Sequence, residues 1–584
     1  MNEKQIMAIL QEVHSSLRVE HTAKFLYLLK AWKILSDANA INPIDVTFEE
    51  FYNQKIDAKK LQLVIEKLSK SIKIFELFLN QSINISKIND DSLIKLFTVI
   101  NDGQDLLQVN DMFYSLLEGQ SDFSVANQIA ELGVKLLDSE CKELYVPFSN
   151  GFNFAYYTDK VIFAESLSDE YILELMRVIE SVNINFKRID PLEQPSFKND
   201  NAPHLLKQFD CVLSFPPMGM TTSNRFLDAD KFNRFKFHKA KSSRDIAHFE
   251  HILAQTKGKA VVLMSVGFTY RAMHEEAFRK SIVDENILEA IVQLPPNLHN
   301  ATSIETTFFI INKNKKSDKV LFINLKDEQF IKRDGRKLVL KDINDIVNIY
   351  NNQEEIENIS ALVSNEEIAN GNYSLAIDRY VLSKEAARLK KLLSNYDLVQ
   401  LDSLAEIRRS QSFKDEEEGK EVYELSPSDL AEAGFTVESG KLKQIGTQYK
   451  KLETYKVQPY DVLLSTKGTI GKVGIVGEIS DSIITSQALQ VIRVNGDNKK
   501  ETAIELYMFF KSNLGQSLLK QLVAGVAMPL ISTAEIKQLQ IPVLTEIEQK
   551  ETILNFHNEV KMYNEINKIY ADIEKIHNNF LGTK

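Results

Sequence analysis

Between about Phe123 and Asp327, short apolar runs alternate with amphipathic stretches of helical spacing, and no other feature narrows the possible folds of this chain as much. Runs this short are strands, and strands separated by helix-length connections cannot pair as tight hairpins. Crossovers must join them, which builds a largely parallel sheet with helices on its faces. The expected strands are residues 144–146, 161–164, 211–213, 260–264, 288–294 and 306–311, with 320–324 closing or extending the sheet. The expected helices are residues 169–183, 244–256 and 273–285.

Residues 209–220 read as a buried strand running into a corner made by Pro216 and Pro217. In an α/β sheet the loop past a strand's carboxyl end is where ligands sit. The corner, Ser214-Phe215-Pro216-Pro217-Met218, resembles the catalytic motif of DNA N6-adenine methyltransferases, Asn/Asp-Pro-Pro-Tyr/Phe. Phe215 stands in the place of the polar residue and Met218 in that of the aromatic one. In that family the polar residue accepts a hydrogen bond from the adenine amino group while the aromatic ring stacks on the flipped base. Phe215 has no acceptor, which leaves Ser214 or a backbone carbonyl for that role.

The resemblance extends to residues 290–316. There Leu294-Pro295-Pro296-Asn297-Leu298, a threonine-containing turn and an apolar strand ending in Asn312-Lys313 are similar to the late part of type I modification subunits. It implies a Rossmann-like methyltransferase domain over residues 119–330 that uses S-adenosylmethionine and no metal. The family holds this cofactor on a glycine-rich turn after the first strand, because glycine lets the backbone approach the ligand closely. The matching stretch is residues 146–154, where Val146 replaces the family's acidic residue, Gly151 is retained and Phe152 is bulky. Pro147, Asn150 and Gly151 are therefore the expected cofactor contacts. Phe123 joins them from residues 119–126, which resemble the family's Phe-x-Thr-Pro motif. Glu165 ends the second strand, where an acidic side chain holds ribose hydroxyls in doubly wound folds; a solvated strand-end glutamate is the alternative.

The whole chain of 584 residues has a net charge of −11, which by itself disfavours a general nucleic-acid binder. Local patches run the other way. Residues 231–244 carry Lys231, Arg234, Lys236, Lys239, Lys241 and Arg244 with no acid, interleaved with Phe232, Phe235 and Phe237, a pattern suited to phosphates and unstacked bases. A solvated basic loop is the plain alternative. The two cysteines, Cys141 and Cys211, have neither metal-ligand nor disulfide spacing, which fits a reducing compartment. With no apolar run near the ~20 residues of a membrane span and no signal-peptide pattern at Met1, the expectation is a cytoplasmic protein.

Flanking segments complete a multidomain α/β chain. Residues 1–118 have helical spacing and form a helical domain, either a packing platform or, as the resemblance implies, a clamp over DNA. Residues 331–398 read as a connector whose stretch 366–381 resembles the closing segment of modification subunits. Residues 399–545 look like half of a type I specificity subunit, a mixed α+β target-recognition domain. The matching residues run from Asp461-Val462-Leu463-Leu464-Ser465 to Gly468 and Gly471, then Ser486-Gln487, then Gly525 to Ile531. Glycines 468, 471, 474 and 477 are expected to make tight turns presenting loops to a DNA groove. Between Lys441 and Lys472 seven lysines face only Glu453 and Asp461, so Lys443, Lys450, Lys451, Lys467 and Lys472 are expected DNA contacts.

Residues 546–584 end the chain in a coiled-coil-like helix, where Ile553, Phe556, Val560, Tyr563, Ile566, Ile569, Ile573, Ile576 and Phe580 recur at three and four. One such stripe needs a partner surface, either this chain's own helical domain or a second copy in a homodimer reading a two-part site in double-stranded DNA. Two functions fit. The first is a sequence-specific DNA-binding protein of a restriction-modification or phage-defence system, built on a methyltransferase scaffold that no longer transfers methyl groups. The second is an active S-adenosylmethionine-dependent DNA N6-adenine methyltransferase fused to its own specificity domain. The sequence lacks a Walker phosphate-binding loop and a nuclease motif, so cleavage or translocation is assigned to a partner nuclease, helicase or active methylase subunit.

Overall fold

The computed structural model describes residues 19–578 apart from 42–44, 55, 103–124, 138, 150, 221–224, 240–242, 297, 299–304, 335–336, 383, 438–439, 447–451, 480–481 and 524–529. Phe123, Asn150, Lys241, Lys450, Lys451 and Phe580 therefore lie outside the described residues. The chain divides into two compact units, residues 1–377 and 378–584.

The first unit is organised by a nine-stranded sheet. Its strands are β1 (Glu143–Pro147), β2 (Val161–Ser166), β3 (Ile184–Arg188), β6 (Phe209–Ser214), β7 (Thr256–Ser265), β8 (Leu288–Gln293), β9 (Thr306–Asn312), β10 (Lys319–Asn324) and β13 (Ser360–Ser364). The hairpins β4–β5 (Lys198–Asn199, Ala202–Leu206) and β11–β12 (Ile331–Asp334, Lys337–Leu340) stand apart from it. Across the sheet the order is β13-β10-β8-β9-β7-β6-β1-β2-β3. The pairs β3–β2–β1–β6–β7 and β8–β10 are parallel, whereas β9 and β13 run against their neighbours. Central strands such as β7, with Ala260, Val261, Val262, Leu263 and Met264 all buried, are apolar on both faces because helices cover both.

All seven strands expected from the sequence form. β3 escaped because its residues, Ile184-Asn185-Phe186-Lys187-Arg188, are polar enough for an edge, with only Ile184 buried. The outermost strand, β13, comes from the stretch read as connector, so the first unit extends past residue 330 to Ile377. A second correction concerns the cysteines. Cys141 and Cys211 form a disulfide, with Cα atoms 6.2 Å apart. Seventy residues of sequence conceal a closeness that follows from β1 and β6 being neighbours, with Leu144 in register with Cys211.

The helical part of this unit packs around Trp32, whose ring meets Phe48, Phe51, Phe75 and Phe97. The helix Val19–Asp37 lies against the helix Glu170–Glu180 of the sheet layer, where Tyr171 Oη donates to the Lys24 carbonyl at 2.8 Å and Lys24 pairs with Asp169 at 3.3 Å. The helical part is thus packed onto the sheet layer. No helix among the described residues is long and apolar enough to cross a membrane.

In the second unit β14 (Leu398–Gln400) pairs with β23 (Gln540–Pro542). A five-stranded sheet has the order β15-β22-β19-β20-β17, formed by residues 405–409, 489–494, 462–465, 473–476 and 435–436, and a three-stranded sheet pairs residues 441–445, 420–425 and 483–485. Gly468 and Gly471, at φ +76° and +85°, make the turn between β19 and β20. Gly474 lies inside β20 and Gly477 just after it; a side chain at Gly477 would strike Val437 at 2.7 Å, so these two serve close packing instead of turns.

The C-terminal helix Glu546–Asn578 carries two stripes where the sequence pattern reads as one. Ile553, Phe556 and Val560 pack into the core of this unit, with Phe556 fully buried against Phe435 and Tyr507. Three successive steps of three residues, Val560 to Tyr563 to Ile566 to Ile569, then rotate the pattern around the helix. From Met562 onward, Met562, Ile566, Ile569, Ile573 and Ile576 are exposed and spaced four, three, four and three.

Candidate functional site

The chain leaves β1 toward one edge, through β2 and β3, and returns to β6 on the other side of β1. The carboxyl ends of β1 and β6 therefore flank the switch point where open α/β sheets place their ligands. Both ends carry a phenylalanine. Phe148 follows β1 at φ +65°, buried against the rings of His248 and His251 at 4.6 and 5.2 Å. Phe215 follows β6 and is 3% exposed, its ring facing Phe308 and close to Gly133.

Hydrogen bonds join the two strand ends directly. Ser214 Oγ donates to the Pro147 carbonyl at 2.7 Å, and the Phe215 amide donates to Ser149 Oγ at 3.2 Å. Of the expected corner residues, Ser214 thus spends its proton on the backbone, Phe215 and Pro216 are buried, and Pro217 and Met218 are half-buried, with Met218 against the main core. Gly151 keeps a left-handed backbone at φ +78°. Phe152 beside it is buried against Phe154 and Phe186.

Glu165 is neither a solvated glutamate nor an open carboxylate. Its side chain is fully buried, Oε1 lies 2.5 Å from Tyr145 Oη, and Oε2 accepts from the Ser196 amide at 2.8 Å. Burial holds this carboxyl above the usual glutamate range. Tyr145 Oη also meets His251 Nε2 and Gln255 Oε1, each at 2.8 Å. His251 is held well below the ordinary histidine value by burial and then by the Arg234 guanidinium. Each of the two oxygens of Glu165, expected to hold ribose hydroxyls, thus has an internal partner. Among the described residues of this turn, Phe152 is buried beside Gly151, and Glu165 at the neighbouring strand end is held by Tyr145 and Ser196.

The basic segment divides into anchors and a displayed face. Arg234, expected on DNA, is buried. Its guanidinium pairs with Asp230 at 2.8 Å and donates to the carbonyls of Pro191 and Leu192 and to His251 Nδ1. Buried Glu250 accepts the amides of Lys236, Phe237 and His238, which fixes the loop from inside. Arg244 is also turned inward, paired with Asp190 and lying over the ring of Phe226. Alternation explains the split, since every long cation in such a loop cannot face the same side. Lys236 and Lys239 remain exposed.

In the second unit Lys467 and Lys472 are exposed on either side of the Gly468–Gly471 turn. Lys443, also expected on DNA, is half-buried in an ion pair with Glu424 at 2.8 Å. A groove of about 330 Å³ in this unit is lined by Arg408, Arg409, Lys456 and Arg493; the lysine count took in Lys456 but not the three arginines, which lie outside residues 441–472. Sequence reasoning also missed Tyr145, His251 and Gln255. The spacing of His248, His251 and Gln255 on one helix face was the available signal.

Two family matches cover most of the described chain. Residues 172–388 match the N-6 DNA Methylase family and residues 394–575 match the Type I restriction modification DNA specificity domain. Among curated proteins, the chain is 31% identical over 242 residues to the Type I restriction enzyme MpnII methylase subunit of Mycoplasma pneumoniae, covering 38% of this chain and 43% of that protein. It is 28% identical over 244 residues to the Type I restriction enzyme MjaVII methylase subunit of Methanocaldococcus jannaschii, covering 38% and 42%. The chain thus spans less than half the length of these curated relatives. Among solved structures, the type I restriction-modification methyltransferase subunit from Streptococcus thermophilus superposes with a TM-score of 0.53 at 18% identity, over 65% of this chain and 100% of the other. The type IIG restriction endonuclease BpuSI does so at 0.50 and 12%, over 95% and 74%. At these identities the likeness establishes the fold.

Proposed function

We propose, for a chain that carries an N-6 DNA methylase domain followed by a type I DNA specificity domain, that it binds double-stranded DNA sequence-specifically in a restriction-modification or phage-defence system and does not transfer methyl groups. One observation carries the second half of this reading. Phe215, which stands where the family has its polar acceptor, is buried against Phe308, Phe148 is buried against His248 and His251, and Ser214 bonds the two strand ends together. A polar acceptor at a reacting centre contributes orders of magnitude in rate, and an apolar ring supplies none of it. Exposed Lys236, Lys239, Lys467 and Lys472 support the DNA-binding half.

The exposed four-three spacing of Met562, Ile566, Ile569, Ile573 and Ile576 is that of a coiled-coil seam and supports a homodimer through the C-terminal helix. Two copies would then present two recognition units to a two-part site, leaving cleavage or translocation to a nuclease, helicase or active methylase partner.

Calorimetric titration with S-adenosylmethionine, together with a labelled methyl-transfer assay on duplex DNA, tests the reading. No heat at millimolar ligand and no transfer are expected. Tight cofactor binding with incorporation of label would replace it with the active methyltransferase. Duplex binding should persist and weaken steeply with salt.

A further inference from the structure

Met273 holds a backbone conformation that its side chain does not favour. It lies between β7 and the helix His274–Asp284 at φ 66° and ψ −114°, a region that glycine adopts freely and methionine rarely does. Its side chain packs on nothing that would compensate, being 78% exposed, more than any other large hydrophobic residue described in the first unit. Backbone strain of this kind, kept without a packing reward, clusters at sites that act on a ligand.

The surroundings indicate which ligand. Arg271, two residues earlier, is 45% exposed and lies 3.8 Å from Asp245, whose other oxygen accepts the Gly219 amide just past the Pro-Pro corner at 3.0 Å. The strained turn is therefore tied to the loop at the end of β6. On its other side Phe237 packs against Phe278 of the helix that Met273 begins, at 5.9 Å, which brings the loop displaying Lys236 and Lys239 alongside. One protruding apolar side chain among three exposed cations at the carboxyl edge of the sheet is poorly suited to an apolar protein partner. It is well suited to a polyanion with an apolar interior.

We propose that Met273 is an apolar wedge that enters the base stack of bound duplex DNA, with Arg271, Lys236 and Lys239 on the flanking phosphates. Apolar side chains inserted between base steps unstack them and kink the duplex, so that the protein reads how easily a sequence deforms. This inference rests on the DNA-binding reading above and adds a deformation that binding alone does not require.

Fluorescence of a long mixed-sequence duplex, in which 2-aminopurine replaces a fraction of the adenines, tests it on the full chain. The wild type is expected to raise the fluorescence severalfold on binding. Met273→Ala and Met273→Gly should bind but leave it flat, and Met273→Leu should restore the rise. Because glycine relieves the positive φ, Met273→Gly should melt no lower than the wild type, so a lost signal is not a folding defect. A rise that persists in the alanine and glycine variants overturns the proposal. Wild-type binding without any rise overturns it too, and would point Met273 toward a protein partner. Absence of duplex binding by every variant and the wild type would instead sink the DNA-binding reading on which it stands.

Discussion

The carboxyl of Glu165 lies 2.5 Å from the phenol of Tyr145, and burial raises the pKa of that carboxyl, which favours its protonated form. Arg234 only donates, so His251 Nδ1 accepts from it and Nε2 carries the hydrogen that goes to Tyr145. Gln255 Nε2 donates to the carbonyls of Phe197 and Lys207, which fixes its Oε1 toward Tyr145. The phenol has one proton for two acceptor oxygens, Glu165 Oε1 and Gln255 Oε1. Both contacts are hydrogen bonds when a protonated Glu165 donates to Tyr145 and Tyr145 donates to Gln255, whereas an ionised Glu165 accepts the phenol proton and leaves Gln255 Oε1 facing a bare oxygen.

Glu165→Gln should therefore leave stability almost unchanged at acidic pH and raise it relative to the wild type at alkaline pH. A carboxyl whose folded pKa is raised contributes stability that is fully present below its unfolded pKa and lost as pH rises through the folded value. The amide keeps the donor and the acceptor of the protonated acid without that loss. Melting curves of both proteins from pH 5 to pH 9, roughly spanning that window, provide the check. A variant destabilised equally at every pH would show that the ionised form is the native one.

Phe215→Asn restores the family's polar residue but should not restore methyl transfer, because the ring is replaced inside a packed core. Removing a buried phenylalanine costs about 3–5 kcal/mol, and an unpaired amide adds to that. Denaturant unfolding and the methyl-transfer assay read the two outcomes separately. Appearance of label on DNA would show that only the side chain at this position blocks the chemistry.

Arg234 and Lys236 are two residues apart and should behave oppositely. Arg234→Ala leaves Asp230, with a side chain 6% exposed, facing no cation, a loss of about 3–5 kcal/mol for a broken buried pair. Lys236→Ala should leave the melting temperature unchanged and lower the slope of log affinity against log salt by about 1. Equal effects of the two substitutions on salt dependence would contradict the assignment of anchor and contact.

The two stripes of the C-terminal helix separate in the same way. Glu559 accepts the Gly434 amide at 2.9 Å and the Tyr507 hydroxyl at 2.7 Å, so Glu559→Ala should free the first half of the helix at a cost of about 1–3 kcal/mol, seen as faster amide exchange there. Ile569→Asp with Ile573→Asp should leave melting unchanged and convert a dimer into a monomer in sedimentation. A wild type that sediments as a monomer at all concentrations would remove the coiled-coil reading.

The sequence by itself determined what depends on local pattern. Short apolar runs such as residues 260–264 and 306–311 are strands in any fold that buries them, and the stretch from Ile553 to Ile576 repeats at helical spacing whatever it packs against. It also determined the two domain types, because the motifs around Pro216-Pro217 and Asp461 to Gly471 are contiguous. Tertiary structure alone decided which of those residues are exposed. Arg234 and Lys236 differ in burial because loop direction, set by Glu250 and His251 on another element, turns one inward. Glu165 is buried against Tyr145 and Ser196, which approach across separations of twenty residues or more. Cys141 met Cys211 for the same reason, since adjacency of β1 and β6 is a property of sheet order and not of spacing along the chain.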